Sequence, residues 1–148
     1  MTEIREANFR LDLPGEWEQL DSPDPSVFTY RALDGSAVAS MTLFGIKGSF
    51  QIADPARILD DYLHHRVQYE KGREPLLAQT EPSSRQVGAV VEGGWDGVEA
   101  GGMRRLRHRV VLTGGLLADI RYEAMGMDES AFDESAAMVL GSATVTFE

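Results

Sequence analysis

The segment RRLRHRVVLTGGLLADIRYEAMG, Arg104 to Gly126, decides how this chain folds. Two runs of alternating residues flank a pair of glycines, the pattern of a long β-hairpin, and a helix follows directly. Leu106, His108, Val110 and Leu112 alternate with Arg105, Arg107, Arg109 and Val111. On the return run Leu116, Ala118, Ile120, Tyr122 and Ala124 alternate with Leu117, Asp119, Arg121 and Glu123. Two registers compete. A two-residue Gly114-Gly115 turn pairs Leu112 with Leu117 and Arg109 with Ile120, mixing apolar and charged side chains on both faces. A three-residue loop, Thr113 to Gly115, pairs Leu112 with Leu116 and Val110 with Ala118, and sets Arg109 opposite Asp119 and Arg105 opposite Glu123. The second separates core from solvent and is the expected register. It gathers Arg105, Arg107, Arg109 and Arg121 on one face.

Outward from the hairpin, Val87 to Glu92 reads as a strand and Trp95-Asp96-Gly97-Val98 as a tight turn leading through Gly101-Gly102 into the hairpin. After Gly126, Asp128 is placed to cap a helix through about Leu140, with Phe132, Ala136, Val139 and Leu140 as its buried stripe. Gly141 stops it, and Ala143, Val145 and Phe147 alternate in a short closing strand. Asp54-Pro55 opens an earlier helix, with Ile58, Leu59, Tyr62, Leu63 and Val67 at helical spacing and Lys71-Gly72 at its end. Between the two helices, Glu74 to Ser84 reads as an irregular connection with a short extended piece at Leu76 to Gln79. A second hairpin joins Val27–Ala32 to Ala37–Phe44 through a two-residue Asp34-Gly35 turn, which puts Phe28, Tyr30 and Ala32 on one face with Ala37, Ala39, Met41 and Leu43. Phe9, Leu11 and Leu13 form a half-buried first strand ended by Pro14-Gly15. The fold class is α+β: an antiparallel sheet of about six to seven strands layered with two main helices.

The 148 residues suit a single domain. No cysteine is present, which excludes disulfides, thiolate metal sites and cysteine nucleophiles. A formal charge of −10 disfavours nucleic acid as a partner. The polar start, Met1 to Asn8, lacks the apolar run of a signal peptide and no segment reaches the length of a membrane span, so a cytoplasmic location is expected.

Catalytic signatures are missing. The glycines of 93–102 are not followed by Gly-Lys-Ser/Thr, and zincin, Gly-x-Ser-x-Gly and EF-hand patterns are absent, so no cofactor or metal is expected. His64 and His65 each have an aspartate four residues earlier, but adjacent helical side chains diverge by about a hundred degrees and cannot readily share a metal, so solvated ion pairs are the simpler reading. His108 on an apolar face reads as a core histidine with a hydrogen-bond partner rather than a catalytic base. The four arginines are either a solvated face with cross-strand ion pairs or a site for an acidic partner. Trp17 and Trp95 sit beside turns, where an aromatic covers a core edge or anchors an interface.

Phe9-Arg10-Leu11-Asp12-Leu13-Pro14-Gly15-Glu16-Trp17 resembles the opening strand and proline-tryptophan turn of the Mog1/PsbP-like proteins. The subsequent hairpin, helix, strands, long hairpin ending in Tyr122-Glu123-Ala124, and terminal helix continue the resemblance through the chain. It implies an antiparallel sheet layered with helices in an α/β/α sandwich, and a non-enzymatic role. Members include a nuclear-transport factor, an accessory subunit of the oxygen-evolving complex, bacterial envelope proteins and cytosolic adaptors that accompany secreted effectors. Without an export signal, the bacterial cytosolic branch fits best. The expectation is therefore a protein-binding or adaptor module with a protein partner, a homodimer being one option, using Trp95, Arg105, Arg107, Arg109 and Arg121. The alternative is a small-ligand-binding protein or hydrolase with a pocket between helix and sheet at His108 and Tyr122.

Overall fold

The computed structural model describes residues 1–45 and 54–145. In chain order the elements are β1 (Thr2–Arg5), β2 (Phe9–Leu13), β3 (Trp17–Leu20), β4 (Val27–Ala32), β5 (Ala37–Gly45), α1 (Pro55–Arg73), β6 (Leu77–Gln79), β7 (Ser83–Val87), β8 (Val90–Glu99), β9 (Arg104–Thr113), β10 (Leu116–Met125), α2 (Glu129–Gly141) and β11 (Thr144–Val145). Eight strands form one antiparallel sheet in the order β3-β4-β5-β10-β9-β8-β6, with β7 also on β8; β1, β2 and β11 form a second, three-stranded sheet. α1 packs on one face of the large sheet over β8 and β9. α2 and the small sheet pack on the other.

Both helices start as their residues dictate. The Asp54 carboxylate accepts from Arg57 N at 3.1 Å and Asp128 from Ala131 N at 2.8 Å, each satisfying an amide that the first turn leaves unbonded. Leu59, Leu63 and Val67 are buried along α1, and Phe132, Ala136, Val139 and Leu140 along α2. Each large apolar side chain so buried contributes about 1.5–3 kcal/mol. Ser142 fastens the end of α2 to β2: its hydroxyl donates to Asp12 O at 3.1 Å and accepts from Asp12 N at 3.0 Å. Trp17 turns back on its own loop, donating Nε1–H to Pro14 O at 2.7 Å. No helix among the described residues is long and apolar enough to cross a membrane.

The β4–β5 register is the expected one, with Phe28 opposite Met41 and Tyr30 opposite Ala39. The central hairpin is not. Leu117 pairs with Leu112, Ile120 with Arg109 and Tyr122 with Arg107, which is the two-residue Gly114-Gly115 turn. Gly114 takes φ +57°, as the first central residue of a type II′ turn requires. The reason is burial on both sides: Val110, Leu112 and Leu117 lie beneath α1, while Ala118, Ile120 and Tyr122 lie on the opposite face in the core beneath α2. With neither face reserved for solvent, separating apolar from charged residues is the wrong criterion for register.

Three further differences follow. The strands number eleven among the described residues, because the short β1 and β3 and the strand β7, which begins inside the stretch read as an irregular connection, add to the expected set. Trp95-Asp96-Gly97-Val98 is no turn but the middle of β8, which runs from Val90 to Glu99. The hairpin turn lies earlier, between Val87 and Val90, where Val87 and Val90 pair across Gly88-Ala89. Phe147 lies outside the described residues.

Candidate functional site

α2 covers β9 and β10 but leaves part of the sheet surface over β7 and β8 open. The result is a cleft of about 620 Å³, walled on one side by Ala136, Ala137 and Gly141 of α2 and on the other by Ser83 and Arg85 of β7. Arg107 and Arg109 reach it from β9. Each is fixed by carboxylates. Arg107 donates to both oxygens of Asp96, at 2.7 and 3.1 Å, and to Asp133 on α2 at 2.7 Å. Arg109 donates to Glu92 Oε2 at 2.9 Å and to the Leu140 and Ala143 carbonyls at 2.8 and 3.2 Å, tying β9 to the C-terminal end of α2 and the residues just beyond it. Glu92 also accepts from Arg85 at 2.9 Å, and the hydrogen bond from Arg109, aided by Arg85, outweighs partial burial and holds its carboxyl below the ordinary 4.5.

The single four-arginine patch does not exist. Arg107 and Arg109 share the cleft. Arg105 is on the same face but does not line the cleft; it borders two smaller hollows beside Ala78 and Glu129, one of them shared with Arg107. Arg121 is on the opposite face, with Glu123 at 3.2 Å and Glu74 of α1 at 4.0 Å. The real register, shifted by one residue, is what parts it from the others. Trp95 is not an exposed anchor either. It is 3% exposed, donates Nε1–H to Gln79 Oε1 at 2.9 Å, and stacks on the His108 ring with centroids 3.8 Å apart and planes 10° from parallel.

That stack leads to a second concentration of polar groups, buried beneath α1. His108 Nδ1 is 2.8 Å from Asp119 Oδ1 and Nε2 is 3.1 Å from Glu70 Oε1. The Nε2 contact is one of charge, because the ring N–H is not aimed at that oxygen. Tyr62 Oη donates to Asp119 Oδ2 at 2.6 Å. Burial alone opposes the imidazolium, but Asp119 and then Glu70 outweigh it, and the His108 pKa rises above 6.5. Burial likewise opposes ionised Asp119 and Glu70, yet His108 holds both carboxyls below their ordinary values. Burial and the adjacent Asp119 push the Tyr62 phenol strongly up. Nδ1 of His108 is engaged by Asp119, and its buried Nε2 stands in the charge field of Glu70 without a hydrogen-bond partner. His108 and Tyr122 cannot share a pocket: Tyr122 is on the α2 face, its hydroxyl 2.5 Å from Ser135 Oγ. His64 and His65 are exposed on α1.

This cluster makes stability depend on pH with a definite sign. His108 binds its proton more tightly folded than unfolded, so its contribution is complete below about pH 6.5 and declines as pH rises through its raised folded pKa. Asp119 and Glu70 contribute fully above about pH 3.8 and 4.5, and lose that contribution as pH falls through their lowered values. Urea midpoints are therefore expected to drop on the alkaline side, and a His108→Gln variant should flatten that decline. An alkaline limb of equal slope in the variant would assign it to other groups.

Glu70 had a signal in the sequence. It continues the buried 59, 63, 67 stripe of α1 at helical spacing, and a carboxylate in that place requires a buried cation. Which cation answers it depends on the register of β9 and β10.

No protein-family model matches the sequence, and no curated relative does. Among solved structures, cyanobacterial PsbP (CyanoP) from Synechocystis is similar over 97% of this chain and 91% of its own, with a TM-score of 0.68 and 14% identity. LpqN of Mycobacterium tuberculosis, a protein involved in cell envelope biogenesis, aligns over 99% of this chain and 90% of its own at a TM-score of 0.46 and 16% identity. A Bacteroides thetaiotaomicron protein aligns over 95% of this chain and 46% of its own at a TM-score of 0.48 and 11% identity. The likeness to PsbP establishes the fold, the one that the opening Phe9–Trp17 pattern implied.

Proposed function

We propose that the protein is a non-enzymatic protein-binding or adaptor module that holds an extended, polar segment of its partner in the cleft beside α2. The observation that carries this reading is the uncovered surface over β7 and β8, where side chains of both signs are held in place. Arg107 and Arg109 are anchored by Asp96, Asp133 and Glu92, so each presents its remaining donors in a fixed orientation at little further entropic cost. β7 adds a backbone edge. All five of its residues are exposed, and among the described residues it is bonded on one side only, to β8. An extended partner segment can add along such an edge through main-chain hydrogen bonds while its side chains meet the cleft. Accompanying a secreted effector in the cytoplasm, the task implied by the family resemblance, belongs to this class of function.

Ala137 provides the test, because it is exposed on α2 and lines the cleft. Ala137→Trp fills the cleft without entering the core, and is expected to weaken partner binding at least tenfold while leaving the urea midpoint within experimental error. Met138→Trp, exposed on the same helix but outside the cleft lining, is the control and should bind normally. The partner is first captured from native extract and binding then measured with purified components. Wild-type affinity in the Ala137→Trp protein would show that the cleft is not the site.

A further inference from the structure

The lower end of α1 closes a second, smaller cavity against β9 and β10, of about 320 Å³, and its charge is opposite to that of the chain as a whole. Four guanidinium groups, from Arg66, Arg73, Arg104 and Arg121, meet there with two carboxylates, Glu70 and Glu74. The four cations are not equally engaged. Arg104 is clamped by Glu74 at 2.8 Å and Glu123 at 2.5 Å, and Arg121 by Glu123 at 3.2 Å. These two form the rigid floor.

Arg66 and Arg73 are different. Arg66 comes no closer than 3.9 Å to Glu70 or Asp119, beyond hydrogen-bond distance, and its buried Nε has no acceptor. Its guanidinium rests on the Tyr69 ring, 5.0 Å from the centroid. Arg73 donates only a long contact to Tyr69 Oη at 3.4 Å and has no ion pair among the described residues. An arginine carries five N–H donors, so the two supply most of a donor set facing one cavity. They lie seven residues apart, two turns, and therefore on the same side of α1. A network that only cemented α1 to the sheet would pair these cations, as it pairs Arg104 and Arg121. Position near the helix end suits Arg73 electrostatically but explains nothing about Arg66.

We infer that this cavity is a binding site for a small oxyanion, a carboxylate or phosphate group held by Arg66 and Arg73 above the Arg104–Arg121 floor. Planar guanidinium forks match two oxygens of either group. The site is separate from the α2 cleft and lies on the other face of the sheet, so it stands or falls independently of the partner-binding reading.

Titration of the protein with inorganic phosphate, succinate and chloride at constant ionic strength, followed by the arginine Nε–Hε and backbone amide signals in NMR, tests it. Saturable shifts at Arg66, Arg73, Arg104 and Arg121 are expected with an oxyanion and not with chloride. Saturation by phosphate alone assigns a phosphoryl ligand, by succinate alone a carboxylate ligand, and by both the oxyanion class. Arg73→Gln removes an exposed side chain without an ion pair, so the fold is retained, and it should weaken binding roughly tenfold. Non-saturating shifts shared with chloride, or unchanged affinity in Arg73→Gln, would overturn the assignment.

Discussion

Replacing Asp119 with alanine is expected to lower the unfolding free energy by about 3–5 kcal/mol at neutral pH, the range for breaking one partner out of a buried ion pair. The residue is 5% exposed and accepts from two groups at once, His108 Nδ1 at 2.8 Å and Tyr62 Oη at 2.6 Å. Its loss strands a phenol donor and leaves the imidazolium with Glu70 alone, in an environment too dry for water to compensate fully. The His108 pKa should fall back, because Asp119 supplies the largest attraction holding it up. Replacing both Asp119 and His108 by apolar residues should recover much of the loss, since the penalty comes from the unpaired charge rather than from the absence of the pair. Urea unfolding of the single and double variants decides the matter. A single variant within 1 kcal/mol of wild type would mean that the cluster is hydrated, and the burial argument would fail.

Gly94→Ala is expected to destabilise by at least about 3 kcal/mol, a large value for one methyl group. A Cβ at this position would stand 2.0 Å from the His108 carbonyl oxygen and 3.1 Å from its carbon. Both atoms belong to the backbone of the neighbouring strand and cannot swing aside, so β8 and β9 must part where Gly94 pairs with Arg109. The damage reaches both faces: the Arg109–Glu92 bond on one and the Trp95–His108 stack on the other. Gly141→Ala is the contrasting case. Its Cβ meets nothing within 4 Å, so the change should be neutral or stabilising by up to about 1 kcal/mol. Equal urea midpoints for the two variants would refute the close-approach account of Gly94.

The glycines of β8 show why part of the architecture was hidden from the sequence. Gly93 and Gly94 look like strand breakers in isolation, and beside Trp95-Asp96-Gly97 they suggest a turn. In the folded protein they permit contact. A Cβ on Gly93 would lie 2.7 Å from Leu63 Cδ1, so its absence lets α1 settle onto the sheet. Neighbouring residues in sequence carry no trace of a helix that arrives from thirty positions upstream.

The candidate sites were legible to the same degree. The arginines of β9 were visible, and Arg107 and Arg109 do line the cleft. Their company was not, because Asp96, Asp133 and Glu92 come from β8 and α2. Trp95, read as either a core-edge cover or an interface anchor, is buried against His108.

By itself the sequence determined what depends on near neighbours: the capped starts of α1 and α2, the buried stripes along them, the Asp34-Gly35 hairpin and the long run of alternation in β9 and β10. These follow from backbone geometry and spacing within a few residues. Only the tertiary structure decided the register of the central hairpin, the side of the sheet on which each arginine stands, and the pairing of His108 with Asp119 and Glu70. A strand alternates in the same way whichever face is covered. The deciding quantity is burial on both faces, set by helices that pack from elsewhere in the chain.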